Sequence, residues 1–135
     1  MSSLNNCLNS LQKWEIGNEI RAILLADSGI SEAVSTNIFP LVAPEDTKGD
    51  FIIYQRDKYS KSWSKMGVYD DECQLYVTAI SDNYDNAINI AKLIDNALVG
   101  KQVDSKGNEF FIDLVDSTES FEDDKFIETL LLRIK

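Results

Sequence analysis

Apolar residues recur with a helical period in two segments of the chain. The first stripe lies within residues 14–26, and the second follows Ser81-Asp82-Asn83, which offer N-cap side chains, and ends at Gly100. After the first segment, Asp27-Ser28-Gly29 is expected to stop the helix, with Gly29 in a left-handed cap position. The stripes consist of Ile16, Ile20, Ile23 and Leu24, then Tyr84, Ala87, Ile88, Ala91, Ile94 and Leu98.

Both prolines of the protein fall in the apolar stretch of residues 37–44, between the two predicted helices. Proline fixes φ and has no N–H to donate, so neither Pro40 nor Pro44 is expected inside a central strand. The stretch is therefore predicted to be an extended, irregular lead into a sheet that begins at Phe51.

Strand-like patterns occupy most of the remaining chain, because aromatic and β-branched residues are concentrated there. The predicted strands are residues 51–59, 68–80, 110–117 and 121–135, of which the first two form an extended β-hairpin. These elements predict an α+β fold class, with a mostly antiparallel sheet of four to five strands and two helices packed on one face. Residues 14–135 are predicted to form one domain, preceded by a leader or arm of residues 1–13.

Charge narrows the range of functions. The chain has 135 residues, a formal net charge of −10 and a pI near 4.3. Nucleic-acid binding needs a basic surface, so this charge argues against general nucleic-acid binding. No apolar run approaches the ~20 residues that cross a bilayer. Cys7 and Cys73 fit neither a metal motif nor a disulfide framework, and they are predicted to be reduced thiols in a cytoplasmic setting.

Catalytic chemistry is poorly represented in the sequence. There is no histidine, which removes nucleophile–histidine arrangements and histidine metal sites, and there is no glycine-rich phosphate-binding motif. The acidic runs at residues 70–72 and 122–124 lack the spacing of a calcium loop and are more typical of solvated surface. No catalytic residue, cofactor or metal is therefore predicted.

The charged residues are unevenly distributed. Residues 56–66 contain four basic side chains and one acidic one, whereas residues 113–128 contain seven acidic side chains and one basic one. Trp, Tyr and Met among basic residues are typical of interface anchors, although Trp63 could instead fold back over its own sheet. We predict that the first region of one subunit contacts the second region of its neighbour. The candidate interface residues are Lys58, Tyr59, Lys61, Trp63 and Lys65, then Asp116, Glu119, Glu122, Asp123 and Asp124.

The order and spacing of these features resemble those of the tail-completion, or tail-terminator, proteins of long-tailed bacteriophages. The resemblance covers roughly residues 14–135. It rests on the first amphipathic helix with its end at 27–30, the stretches 37–44, 51–54, 75–77 and 81–87, a hairpin with Gly67 before its returning strand, and the strand pair at the C-terminus. It implies a non-enzymatic virion protein of the tail or neck, assembled in the bacterial host cytoplasm. Such proteins form rings, often hexameric, that cap the tail tube and meet the head connector. We also expect DNA to pass through such a ring without specific binding, and we expect no membrane partner.

Two other function classes remain open. The chain could be a small acidic inhibitor that mimics DNA and blocks a basic partner, which predicts a monomer or dimer with a continuous acidic face. A hydrolase with a carboxylate-bound metal is the other, and the absence of histidine argues against it.

Overall fold

One six-stranded sheet carries the helices on one of its faces. A computed structural model describes residues 13–63 and 69–135, apart from the side chains of residues 63, 69 and 70. After a 3-10 turn at Lys13–Glu15, the helices are α1 (Ile16–Ala26), α2 (Ser28–Val34) and α3 (Tyr84–Leu98). The strands are β1 (Ile38–Pro40), β2 (Phe51–Trp63), β3 (Tyr69–Ser81), β4 (Gly100–Val103), β5 (Glu109–Glu122) and β6 (Lys125–Ile134).

The strands lie in the order β1-β2-β3-β6-β5-β4. β1 runs parallel to β2, and every other neighbouring pair is antiparallel. Helices α1 and α3 pack against the sheet and each other, and α2 packs against both. Alternate residues of the central strands point into the core that these layers enclose, as Leu75, Val77, Leu130 and Leu132 do.

The two predicted helical stripes lie largely on buried faces, although Tyr84 is 43% exposed and the buried Ile90 was not included in its stripe. The predicted stop between α1 and α2 is wrong. Asp27 ends α1 and also begins α2, because its Oδ1 accepts a hydrogen bond from the Ile30 amide at 3.0 Å. Gly29 is an interior residue of α2 and not a left-handed cap. Its function is steric: a Cβ at this position would lie 2.9 Å from Leu93 Cδ2 on α3.

Helix α3 begins and ends where the sequence predicts. Asn83 caps it by accepting from the Asn86 amide at 3.1 Å, and Gly100, with φ of 116°, follows its last turn. No described helix has the length and apolar character needed to cross a membrane.

The sheet differs from the prediction in its edges. The α+β class is confirmed, but the described sheet is mixed and has six strands, whereas a mostly antiparallel sheet of about four to five strands was predicted. Pro40 lies on the edge strand β1, as its missing N–H requires, and this strand supplies the parallel pair. β4 was not predicted, because its four residues, Gly-Lys-Gln-Val, have too little apolar pattern to indicate a strand.

Candidate interaction surface

The two hairpins that hold the predicted interface residues lie at opposite ends of the sheet. β3 and β6 are antiparallel, with Cys73 opposite Ile134 at one end and Ser81 opposite Phe126 at the other. The connection between β2 and β3 is therefore at the first end, and the turn between β5 and β6 is at the second. A contact between the two hairpins is consequently a contact between two copies of the chain.

The β2–β3 hairpin is less basic than its first strand suggests. β3 brings the acidic run of residues 70–72 alongside β2, so that residues 56–72 contain four basic and four acidic residues. Lys58 Nζ lies 3.1 Å from Glu72 Oε1, with both side chains 46% exposed, and Lys13 pairs with Asp71. The basic character is thus confined to the β2 side of the hairpin.

Tyr59 is a packing residue of its own domain. It is half-buried, and its ring contacts Trp14 edge-on at a centroid distance of 5.5 Å. Burial raises the pKa of the Tyr59 hydroxyl, and the charge of Asp71 raises it further. Lys61 Nζ lies 5.4 Å from the Tyr59 ring centroid. Of the remaining candidates, Trp63 ends β2 and its side chain lies outside the described part, as does the whole of Lys65.

Trp14 is an exposed aromatic residue that the sequence interpretation missed. It is 65% exposed, and the Arg56 guanidinium stacks on it at 4.6 Å from the ring centroid. Arg56 also donates to the Trp14 carbonyl at 3.2 Å. The available signal was an aromatic residue at the polar end of the first helical stripe. Trp14 was predicted to lie in the helix, but it lies in the 3-10 turn before α1.

The acidic hairpin consists of β5, β6 and a two-residue turn. Asp123 and Asp124 are the central residues of that turn, with φ of 52° and 61°. Positive φ at both positions defines a type I′ turn, the geometry that matches the twist of the flanking strands. Asp116 follows a β-bulge, and its Oδ1 accepts from the Ser117 amide at 2.9 Å. Glu122 is paired with Lys125 across the end of the hairpin.

Two carboxylates meet at the centre of this hairpin. Glu119 and Glu128 are direct cross-strand partners, and the Tyr84 hydroxyl donates to Glu119 at 3.0 Å. Burial, followed by the hydrogen bond and charge of Glu119, raises the pKa of Glu128 to about 7. In the sequence, Glu128 interrupts the apolar alternation of its strand, and that interruption is the available signal.

Glu128 borders a shallow pocket of about 190 Å³ between α3 and the sheet. Lys92 and Asp95 of α3 and Leu114 of β5 share its lining. Among residues whose side chains are described, no group of three or more histidine, cysteine or acidic side chains is arranged to hold a metal ion. Glu128 can bind or release a proton near neutral pH at this pocket. The pocket is too small and open to enclose a drug-sized ligand.

A similarity to known proteins was found at the level of the fold. A chain of a solved structure described as the virion of a native gene transfer agent particle superposes with a TM-score of 0.74, covering 88% of this chain and 92% of that chain. The two sequences are 19% identical, so the similarity is one of fold. No family model and no curated protein matches the sequence.

Proposed function

We propose that this protein is a structural component of a phage or phage-derived particle. The observation that carries the proposal is the shared fold, which spans nearly the full length of both this chain and a chain of the gene transfer agent virion. A match over most of both chains favours a common architecture and not merely a shared motif. It supports localisation in the particle and contact with other particle proteins.

Within such a particle, we propose that the protein caps the tail tube and joins it to the head connector as a ring, for which a hexamer is the expected size. Its mechanism is geometric and not catalytic: the ring ends tube growth and presents a surface to the neck. The positions of the hairpins support this, because surfaces at opposite ends of one subunit favour head-to-tail association. A net charge of −10 would also let DNA pass through the ring without binding.

Disruption of the gene in a host that produces the particle tests this function. Electron microscopy is expected to show unjoined heads and tails, or tails of uncontrolled length, and a copy of the gene supplied in trans should restore normal particles. Normal particles in the disrupted strain would contradict the proposal.

Light scattering coupled to size exclusion separates the proposed function from the acidic-inhibitor alternative. A ring predicts a discrete oligomer, alone or after addition of tail tubes. If the protein is an inhibitor, it should be a monomer or dimer that binds a basic enzyme tightly and does not bind tail tubes. The exposed acids of the β5–β6 turn are the feature that such an inhibitor would use.

A further inference from the structure

Two strands of the sheet each have one edge that is only partly covered. β1 pairs with β2 only along residues 52–54, and β4 pairs with β5 only along residues 109–112. In the part of the chain that the structure describes, no strand pairs with the outer edge of residues 55–63 or of residues 113–122. An uncovered strand edge presents N–H and C=O groups to another strand.

These two edges differ in charge. Residues 55–63 of β2 contain three basic residues and one acidic one, and residues 113–122 of β5 contain four acidic residues and no basic one. Pairing of like edges would place like charges opposite each other, which is unfavourable, whereas pairing of unlike edges brings opposite charges together. The charge pattern therefore favours a heterologous contact, in which each copy uses a different edge toward each neighbour.

We propose that residues 58–63 of one copy pair antiparallel with residues 117–122 of the next, so that one sheet continues from subunit to subunit. The proposal rests on the proposed ring function and specifies its interface. Both segments pair in unbroken register with their own hairpin partners, and the β-bulge of each strand lies outside the segment. They also have the same length.

The side-chain directions allow only registers in which helix-facing residues meet helix-facing residues, and the pairing of opposite charges selects one of these registers. Lys61 and Glu119 both point to the helix-bearing face, since their partners Asp71 and Glu128 lie on the same face as buried Cys73 and Leu130. Lys58 and Glu122 both point to the opposite face. In an antiparallel pair, facing residues point to the same side, so placing Lys61 opposite Glu119 also places Lys58 opposite Glu122.

The same register has two further matches. It places Tyr59 opposite Phe121, which is 56% exposed, and aromatic cross-strand pairs stabilise antiparallel sheets. It also places Ser60 opposite Ser120, where two small hydroxyl side chains fit together.

The neighbouring strands leave room for this contact. Within one copy, Ser60 lies opposite Glu72 of β3. Ser120 lies opposite Ile127 of β6, which in turn lies opposite Ile80 of β3, eight residues from Glu72. The next copy is therefore displaced along the strands by eight residues, roughly 26 Å at ~3.3 Å per residue. Because of this displacement, β4 of one copy and β1 of the next lie along different parts of the two paired strands.

Charge exchange tests the pairing. The variants K58E/K61E and E119K/E122K are each expected to lose self-association, with at least a tenfold weaker apparent affinity in sedimentation velocity. An equimolar mixture of the two should associate as the wild type does, because each variant then meets a complementary edge. K48E/K106E is the matched control for K58E/K61E: it makes the same charge change on exposed loops and should associate normally. Failure of the mixture to recover, with folding intact by circular dichroism, overturns the pairing.

Disulfide trapping tests the register. In a C7S background, a mixture of S60C and S120C chains should form an intermolecular disulfide on mild oxidation, because facing Cα atoms lie within bonding range. A mixture of S60C and T118C, two residues out of register, should form much less. No cross-linked product, or equal yields from both mixtures, overturns the register.

Two outcomes separate this interface from the proposed function. Normal particles and rings formed by the charge variants would reject the edge pairing and leave the ring function intact. Slow hydrogen exchange at residues 58–63 in a monomer that becomes fast when residues 1–12 are deleted would instead assign the β2 edge to the chain's own N-terminal segment.

Discussion

Glu128 of β6 lies directly opposite Glu119 of β5, and both side chains are on the helix-bearing face of the sheet. The Tyr84 hydroxyl donates to both carboxylate oxygens of Glu119, at 3.0 and 3.3 Å. Glu119 is thereby held as an acceptor, and the pKa of Glu128 is raised to about 7, first by burial and then by the hydrogen bond and charge of Glu119. Glu128 consequently binds or releases its proton near neutral pH.

Replacement of Glu128 by Gln is expected to stabilise the protein at alkaline pH. A carboxyl whose pKa is higher in the folded state than its ordinary value of 4.5 favours folding while protonated. The free energy of unfolding therefore falls as the pH rises from about 4.5 through about 7, and the penalty is complete above that range. At pH 8 the gain from E128Q should be about 1 kcal/mol, after allowance for solvent screening of a partly exposed group.

Urea denaturation at pH 8 and at pH 4.5 measures this effect. The stability difference between E128Q and the wild type should be present at pH 8 and absent at pH 4.5. Lys92 borders the same pocket, so K92M serves as a control for the influence of its charge. An equal gain at both pH values would show that the effect of E128Q is not a removal of charge.

The turn of the acidic hairpin offers a second prediction. Asp124 has φ of 61°, a conformation that costs an ordinary residue energy and suits glycine. D124G is expected to raise the free energy of unfolding by about 0.5 kcal/mol, because glycine is preferred at the second central position of a type I′ turn. Thermal denaturation at several salt concentrations measures it.

The alanine variant of the same residue separates backbone from charge. D124A removes the carboxylate and keeps the strained φ, so it should be less stable than D124G. If both variants gain equally, relief of repulsion from Asp123 and Glu122 is the cause, and the gain should then shrink as salt is added.

The periodic parts of the fold could be predicted from the sequence, and the locally ambiguous parts could not. The helical stripes and the edge position of Pro40 follow from patterns that their own segments contain. Helix α2 was missed because Asp27-Ser28-Gly29 has the composition of a helix stop. The choice of Gly29 is dictated by Leu93, a residue 64 positions later in the chain, and no local pattern contains that contact.

The charge contacts of the candidate surface also could not be predicted from local sequence. Counting charges along one strand identified Lys58 as part of a basic region, but its cross-strand neighbour Glu72 comes from the returning strand. The Glu119–Glu128 pair likewise depends on the turn at residues 123–124, which sets the register of β5 against β6. Strand register decides which charges meet, and a sequence pattern does not supply the register.

The contact between α2 and α3 gives a third prediction. Because a Cβ on Gly29 would lie 2.9 Å from Leu93 Cδ2, a large side chain there must separate the helices. G29L is expected to lower the free energy of unfolding by about 1–3 kcal/mol, whereas G29A should cost less, since the Leu93 side chain can shift and alanine favours the helix. Combining G29L with L93A should recover part of the loss, as measured by urea denaturation. No recovery in the double variant would locate the strain elsewhere.

The last prediction links the carboxylate pair to assembly. In the proposed register, Lys61 of one copy faces Glu119 of the next, and this added positive charge should lower the pKa of Glu128, which lies beside Glu119. Association then releases up to one proton near neutral pH, so the affinity between copies should increase, by at most about tenfold per pH unit, as the pH rises from 6 to 7. Sedimentation velocity at pH 6, 7 and 8 measures the change.

E128Q holds no titrating proton at this position, and its association should therefore vary much less with pH. Association of the wild type that is independent of pH, or that weakens as the pH rises, would contradict the placement of Lys61 beside Glu119.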